Sequence, residues 1–393
     1  MPDRLKSPLV QRYDGRSLSQ APHIAVLGSC KVGNFVVTLP LLQALRSRYP
    51  QALIDFWGSE ATADFERALC AAGGPLNWRT SWDLASGEFP LPTLATQAEE
   101  RQRQAGPIEL LINCDGFNPL TQVLASWLRP QWVAGGSLCA NGRRELAWGD
   151  HPNQRFLADP DWDSPAFLER YGDHFHSNYI AELLCRLAFL NPSPELLAKI
   201  ELPSEPAPFA VPPLLIHCTT TRAAKIWPFQ HWHGVLEWCR SRGLQAGLVG
   251  APPNRQAQEY HAGEGEEHLL EAFSGDGTLV DLRGRTSLIQ LAGACRAAQA
   301  VVSVDAGPLH IAAAVGTPTL AVVGNDAAGV GASPIRLWLP RAANLQRTTS
   351  PASCHSCAER RFRNDGCVES GHPCMQAVAP QQVTDWLTHV FNT

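Results

Sequence analysis

The sequence predicts an α/β protein built from two Rossmann-like, doubly wound domains facing a cleft, and three observations predict it. Short apolar strand-like runs alternate with helix-length segments from residue 24 onward, a proline-rich stretch interrupts that rhythm near its middle, and the same rhythm then restarts. A chain of 393 residues also exceeds what one hydrophobic core usually serves. Two successive β-α series across a hinge therefore imply two parallel sheets.

Residues 1–22 read as a polar N-terminal extension. They carry Asp3, Arg4, Lys6, Gln11, Arg12, Asp14 and Arg16 and hold no apolar h-region, so they do not resemble a secretory signal. Residues 23–190 form the first predicted domain. A strand is expected at 24–28, then a helix at about 33–49 with Val37, Leu41, Ala44 and Leu45 on one face. Another strand at 53–57, a helix at 60–72 and a strand at 110–114 follow. Residues 84–107 are polar and broken by proline and glycine, and they read as a long loop or insertion near the substrate. The linker is placed at 191–213, which is rich in proline.

The second domain is assigned to 214–379, with strands at 214–218, 245–250, 279–282, 300–304 and 319–323. Helices are expected from 230 to 242, from Ser287, whose Gln290 gives capping-box spacing, and from Gly307 to Val315. A last helix, 380–393, shows Val383, Trp386, Leu387 and Val390 on one face. No internal repeat and no low-complexity segment is present.

Composition bounds the partners. A hydrophobic fraction of 45% supports a fully packed protein, and a net charge of −5 gives no footprint for nonspecific nucleic-acid binding. No apolar run approaches the ~20 residues that a membrane crossing needs, so a cytoplasmic protein is expected. Of the twelve cysteines, eight are scattered, and Cys114, Cys185, Cys218 and Cys295 lie in apolar elements where free thiols act as small hydrophobes.

The chemistry concentrates at the ends of strands. Val304-Asp305-Ala306-Gly307-Pro308-Leu309-His310 joins a β-branched strand to a helix of small residues. A helix opening at Gly307 or Pro308 leaves its first N–H groups unpaired beside a positive partial charge, which suits a phosphate; an ordinary tight βα connection is the alternative. Strand 214–218 runs into Thr219-Thr220-Thr221-Arg222-Ala223-Ala224-Lys225, whose hydroxyls and cations also suit phosphate oxygens, against a solvated threonine-rich loop. Both segments leave the same edge of one sheet, which favours a shared diphosphate.

In the first domain, Gly28-Ser29-Cys30-Lys31-Val32-Gly33-Asn34-Phe35 has two glycines five apart. It lacks the Lys-Ser/Thr of a P-loop, and the three-glycine dinucleotide pattern is absent too. Gly33 and Asn34 stand at the mouth of a helix, where Asn34 either meets a ligand or caps that helix.

These stretches, with Val36-Val37-Thr38-Leu39-Pro40 and Gly316-Thr317-Pro318, resemble glycosyltransferase family 9, the lipopolysaccharide heptosyltransferases. The resemblance runs in order from about residue 23 to 390 and is weakest between 60 and 190. It implies a GT-B architecture and an inverting sugar transfer that needs no metal or other cofactor. The implied donor is a nucleotide sugar of the ADP-heptose kind on the C-terminal domain. The implied acceptor is a glycan or lipid-linked group on the N-terminal domain, with peripheral contact at the inner membrane and no nucleic-acid partner.

By the same resemblance, Thr220, Thr221 and Lys225 would hold the diphosphate, together with backbone groups of Ala306, Gly307, Pro308 and Leu309. Asp305 would bind sugar hydroxyls, His310 would support the phosphate or the fold, and Gly250 would open the region that meets base and ribose. Gly33 and Asn34 would face the acceptor, and helix 380–393 would pack back on the first domain. Closure about the hinge would then assemble donor and acceptor.

One departure bears on mechanism. The family places an aspartate base where this chain has Asn34, and an amide cannot take the acceptor's proton. Asp115 at the end of a first-domain strand replaces it, or Asn34 only positions the acceptor while phosphate takes the proton, or the chain binds nucleotide sugars without transferring them. Asp115 is also read as a turn cap before Gly116. Near the C-terminus, the loop 354–374 holds Cys354, Cys357, Cys367 and Cys374, which leave structural zinc, free thiols or a disulfide open; Arg360, Arg361 and Arg363 beside them meet an anionic acceptor or form a solvated charge run. A sugar-nucleotide epimerase is the weaker rival reading.

Overall fold

The computed structural model describes residues 10–71, 73–83, 91–116, 118–177, 179–255, 264–326, 334–352 and 354–392. Two compact units divide the chain: residues 1–162 with 167–196, and residues 163–166 with 197–393. The divide at 196/197 falls inside the proline-rich stretch. No helix among the described residues is long and apolar enough to cross a membrane.

The N-terminal unit carries a six-stranded parallel sheet of β1 (Gln11–Arg12), β2 (His23–Leu27), β3 (Leu53–Ser59), β4 (Trp78–Asp83), β5 (Leu110–Asn113) and β6 (Trp132–Gly135). Its order is β1-β6-β5-β2-β3-β4, with Val26 opposite Phe56 on one side and Ile112 on the other. Every residue of β2 is buried, as expected of a central strand covered on both faces. The order therefore reverses between β2 and β5. Ligands of open α/β sheets bind at that reversal, outside the carboxyl ends of the strands.

The C-terminal unit repeats the plan with β7 (Leu214–His217), β8 (Ala246–Leu248), β9 (Leu279–Asp281), β10 (Ala300–Val304), β11 (Thr319–Val322) and β12 (Leu345–Thr348). The parallel order is β12-β11-β10-β7-β8-β9, and the reversal falls between β7 and β10, where Val302 pairs with Ile216. Helix Leu288–Ala297 starts as its sequence requires: Ser287 accepts from the Gln290 N–H while the Gln290 side chain accepts from the Ser287 N–H.

Two expectations need correction. The polar extension is, from Val10 on, part of the first unit: β1 pairs with β6, Tyr13 is buried, and the Arg12 guanidinium donates to the carbonyls of Gly135, Leu146 and Ala147. Residues 1–9 lie outside the described ones. The loop expected at 84–107 contains helix Leu91–Ala105. Among the described side chains its buried apolar face is Leu94 and Ala98, and polar anchors fix the rest, with Gln97 accepting from Thr80 and Arg101 donating twice to buried Asp55. So narrow a stripe is hard to see as helical periodicity.

The last helix spans Pro380–Asn392. Within the C-terminal unit, Val383, Trp386, Leu387 and Val390 pack with Trp232, Val235 and Leu236 of helix Phe229–Ser241. Val383 and Leu387 are fully buried there and Trp386 and Val390 partly so, and that burial holds the helix on its unit.

Candidate active site

Four of the segments singled out in the sequence leave the carboxyl ends of β2, β5, β7 and β10, the two pairs of strands that flank the reversals. Each pair is described within its own unit.

In the C-terminal unit the loop after β7 passes through Thr219 and Thr220, both buried, and exposed Thr221 to a single 3-10 turn, Ala223–Lys225. Lys225 Nζ donates to Asp305 Oδ2 at 2.6 Å. Asp305 follows β10, is buried, and has its other carboxylate oxygen 3.8 Å from His310 Nε2. Burial alone would push the Asp305 carboxyl upward, but the Lys225 ammonium and then His310 outweigh it and hold the group well below the usual carboxylate range. Asp305 is therefore an anion that fixes a lysine at the reversal.

Helix Gly307–Ala314 begins beside this pair with Ala306 in extended geometry and Pro308 in the first turn, and no side chain caps it. Its amino end presents uncapped N–H groups and a positive partial charge toward the loop that carries Lys225. Leu309 is anchored underneath with Ala321 and Val323. His310 is buried, and its Nδ1 has no partner among the described residues. Gly250 follows β8, one strand further along the sheet, and its carbonyl accepts from the Gly284 N–H at 2.9 Å. It thus lies apart from the lysine–aspartate pair, on the side of β7 away from β10.

A partly open cavity lies beside the pair. Its walls include Arg222, Lys225, Asp305, Asn325, Phe362 and Met375, with Cys357 and Cys374 among them. The sequence placed Arg222 in the phosphate loop, but nothing in it linked the cysteine-rich loop to the same cavity. All four cysteines of that loop are free thiols. Burial pushes Cys357 up, and Cys374 up to about 11, so both favour the neutral form. Among the described residues no three His, Cys, Asp or Glu side chains are disposed to hold a metal ion, so the zinc arrangement does not fit the side chains as they stand.

In the N-terminal unit the turn after β2 is shaped by packing. A Cβ on Gly28 would collide with the buried Phe56 ring, while the Gly28 carbonyl accepts from Trp82 Nε1 at 2.8 Å. Lys31 is the residue preceding helix Val32–Arg48, and its side chain makes no cap. Asn34 does not cap the helix either: it stands in the first turn after Gly33 and donates from Nδ2 to Ser29 Oγ at 3.0 Å. That bond ties the turn and leaves the amide oxygen available.

Asp115 follows β5. Its backbone carbonyl accepts from Asn118 N–H and Thr121 Oγ, but among the described residues its carboxylate receives only a 3.3 Å bond from Asn118 Nδ2. Burial raises its carboxyl above the usual range, against the opposing effects of Asn118 and Lys31. The Lys31 and Cys30 groups both feel its charge, which places it toward the Gly28–Asn34 turn. Turn-forming is done by its backbone, so the side chain is free for other work.

Residues 193–361 match the model of glycosyltransferase family 9 (heptosyltransferase). Lipopolysaccharide heptosyltransferase 2 of Salmonella typhimurium is 26% identical over 313 residues, 77% of this chain and 82% of that protein. Among solved structures, a family 9 glycosyltransferase from Veillonella parvula superposes with a TM-score of 0.68 at 15% identity, covering 95% of this chain and all of the other. An Escherichia coli heptosyltransferase bound to ADP-2-deoxy-2-fluoro heptose gives 0.55 at 16%, covering 93% and 99%. The matched segment, the two doubly wound sheets of a GT-B fold and the lysine–aspartate pair at the strand-order reversal agree: residues 193–361 match glycosyltransferase family 9, and the chain is similar to the heptosyltransferases of that family.

Proposed function

We propose that this protein transfers a sugar, heptose first among the candidates, from a nucleoside diphosphate to a lipopolysaccharide or other surface-glycan acceptor, with inversion and without a catalytic metal. The observation that carries this reading is the Lys225–Asp305 bond beside the uncapped helix at Gly307. The relative bound to an ADP-heptose analogue supports the donor class. Thr220, Thr221 and the backbone from Ala306 to Leu309 would hold the two phosphates, and Asp305 keeps Lys225 aimed while its remaining lone pairs serve sugar hydroxyls.

In the reaction the acceptor hydroxyl gives its proton to Asp115 and its oxygen attacks the anomeric carbon from the face opposite the diphosphate. The bond from that carbon to the phosphate oxygen breaks, and the electron pair leaves with the diphosphate. Charge growing on the leaving group meets Lys225 and the helix amino end, which are already oriented before reaction. A raised carboxyl pKa brings Asp115 nearer to the pH at which a base is useful. Asn34 would orient the acceptor oxygen through its free amide oxygen.

Peripheral contact with an anionic membrane surface belongs to the same reading. Leu120, Val123 and Trp127 line one face of helix Pro119–Trp127 and are three of the four large apolar side chains exposed among the described residues. Exposed Arg129 follows that helix, and exposed Arg143 and Arg144 lie on a hairpin bonded to it through Ser126 and Cys139. Apolar side chains with guanidinium groups beside them suit acidic lipid headgroups.

A second reading, a nucleotide-sugar-binding protein without transferase activity, is favoured by one observation, the amide of Asn34 in place of a carboxylate. Thermal stabilisation by a panel of nucleotide sugars, combined with a turnover assay on heptose-deficient lipopolysaccharide, tests both. Stabilisation with turnover supports transfer. Stabilisation alone supports the second reading, and no response to any nucleotide sugar removes both.

A further inference from the structure

We infer that the cysteine-rich loop after β12 is the device that positions Lys225, with His372 and Arg222 as its positioning residues; this rests on the donor-site reading above. Lys225 ends a turn of only three residues with no side-chain cap, so that turn has little order of its own. Its shape comes from partners on either side.

Downstream, Trp227 is fully buried, donates from Nε1 to the Val378 carbonyl at 2.9 Å and packs edge-on against Trp232 at 4.9 Å. Upstream, both backbone polar groups of Ala224, the residue before Lys225, are taken by the cysteine-rich loop. The Ala224 N–H donates to the Asp365 carbonyl at 2.8 Å, and the Ala224 carbonyl accepts from His372 Nε2 at 3.0 Å. The Arg222 guanidinium donates to the neighbouring Asn364 carbonyl. Lys225 thus hangs between a tryptophan set in the core and three bonds to one loop.

His372 is suited to this task rather than to chemistry. A carbonyl partner requires its Nε2 to carry the proton, and burial lowers its pKa against the opposing effect of the Ala224 carbonyl, so the neutral imidazole donates. Its backbone holds a left-handed φ of 50°, a conformation that a side chain other than glycine adopts only where its surroundings require it. The loop's own turn is closed by Asn364 Nδ2, which bonds the Gly366 carbonyl at 2.7 Å and Cys357 Sγ at 3.3 Å. Cys357, Phe362, Cys374 and Met375 of this loop and the helical turn that ends it then wall the cavity that Lys225 enters. One segment therefore sets both the lysine's place and the shape of the space beside it.

The test measures binding of inorganic pyrophosphate by calorimetry, with turnover and thermal stability alongside. His372→Ala should weaken pyrophosphate binding about five- to tenfold, the effect of one lost hydrogen bond, and His372→Gln, which keeps a donor, should restore it. Arg222→Met should act in the same direction and serves if His372→Ala fails to fold. Because the loop acts through the lysine, His372→Ala should add nothing to the affinity already lost in Lys225→Ala, a non-additivity that a merely structural role would not give. Unchanged pyrophosphate affinity in both His372→Ala and Arg222→Met, with Lys225→Ala still deficient, overturns the positioning role alone. Full affinity in Lys225→Ala overturns the donor-site reading itself.

Discussion

Replacing Lys225 with methionine separates what the lysine does for the reaction from what it does for the fold. In the reaction it faces charge developing on the leaving diphosphate, and loss of one such preorganised donor lowers kcat about 100- to 1,000-fold. In the fold it is the counter-ion of Asp305 at 2.6 Å. Breaking a fully buried pair costs ~3–5 kcal/mol. The Lys225 side chain is 25% exposed, and Asp305 can take up a proton once its partner is gone, so we expect about 1–3 kcal/mol here.

The sign of the pH dependence follows from the lowered carboxyl of Asp305. Its stabilising contribution is complete above the ordinary value of 3.8 and is lost as pH falls through the lowered one, so Lys225→Met should flatten the acid side of the stability curve. The double variant Lys225→Met with Asp305→Asn removes the unpaired buried charge. It should regain much of the thermal stability and none of the turnover. Steady-state kinetics with calorimetric melting of the three variants reads all of this, and near-parental turnover of a folded Lys225→Met protein would refute the diphosphate site.

Asp115→Asn should cut turnover about 100- to 10,000-fold with donor affinity unchanged, and should abolish an acid limb of the pH–rate profile lying above 3.8, since activity requires the carboxyl to have lost its proton; a retained limb assigns the base elsewhere. Asn34→Asp should change turnover little if Asp115 is the base, whereas activity appearing from none supports the binding-protein reading. Gly28→Ala should destabilise by about 1–3 kcal/mol, because the added Cβ meets a buried phenylalanine ring, and denaturant unfolding measures it. Leu120→Ser with Trp127→Ser should reduce sedimentation with phosphatidylglycerol vesicles while leaving turnover on a water-soluble acceptor intact, and unchanged sedimentation removes that face from membrane contact.

How much of this was legible in the sequence depended on the range of the interactions involved. The strands that flank the two reversals are continuous apolar runs, and the segments after β7 and β10 announce themselves by hydroxyls, cations and a Gly-Pro turn, all local signals. Helix Leu91–Ala105 left a weaker trace, because Gln97 and Arg101 hold it by polar bonds to other strands rather than by an apolar stripe. The last helix carried a clear stripe but no sign of what it would meet, since amphipathicity specifies burial and not the partner that provides it.

The site obeys the same division, and that explains why the sequence leaves zinc, free thiols or a disulfide open for the cysteine-rich loop and shows no supporting role for it. Cysteine spacing is a local pattern and invites a local ligand, whereas the bonds from Asp365 and His372 to Ala224 span more than a hundred residues and are made largely by backbone groups, which any sequence possesses. A lysine in a phosphate loop can be recognised from its neighbours in the chain. The rigidity that makes it useful is supplied by a segment about 140 residues away, so a substitution at His372 should alter donor binding through the Ala224 carbonyl that this side chain holds.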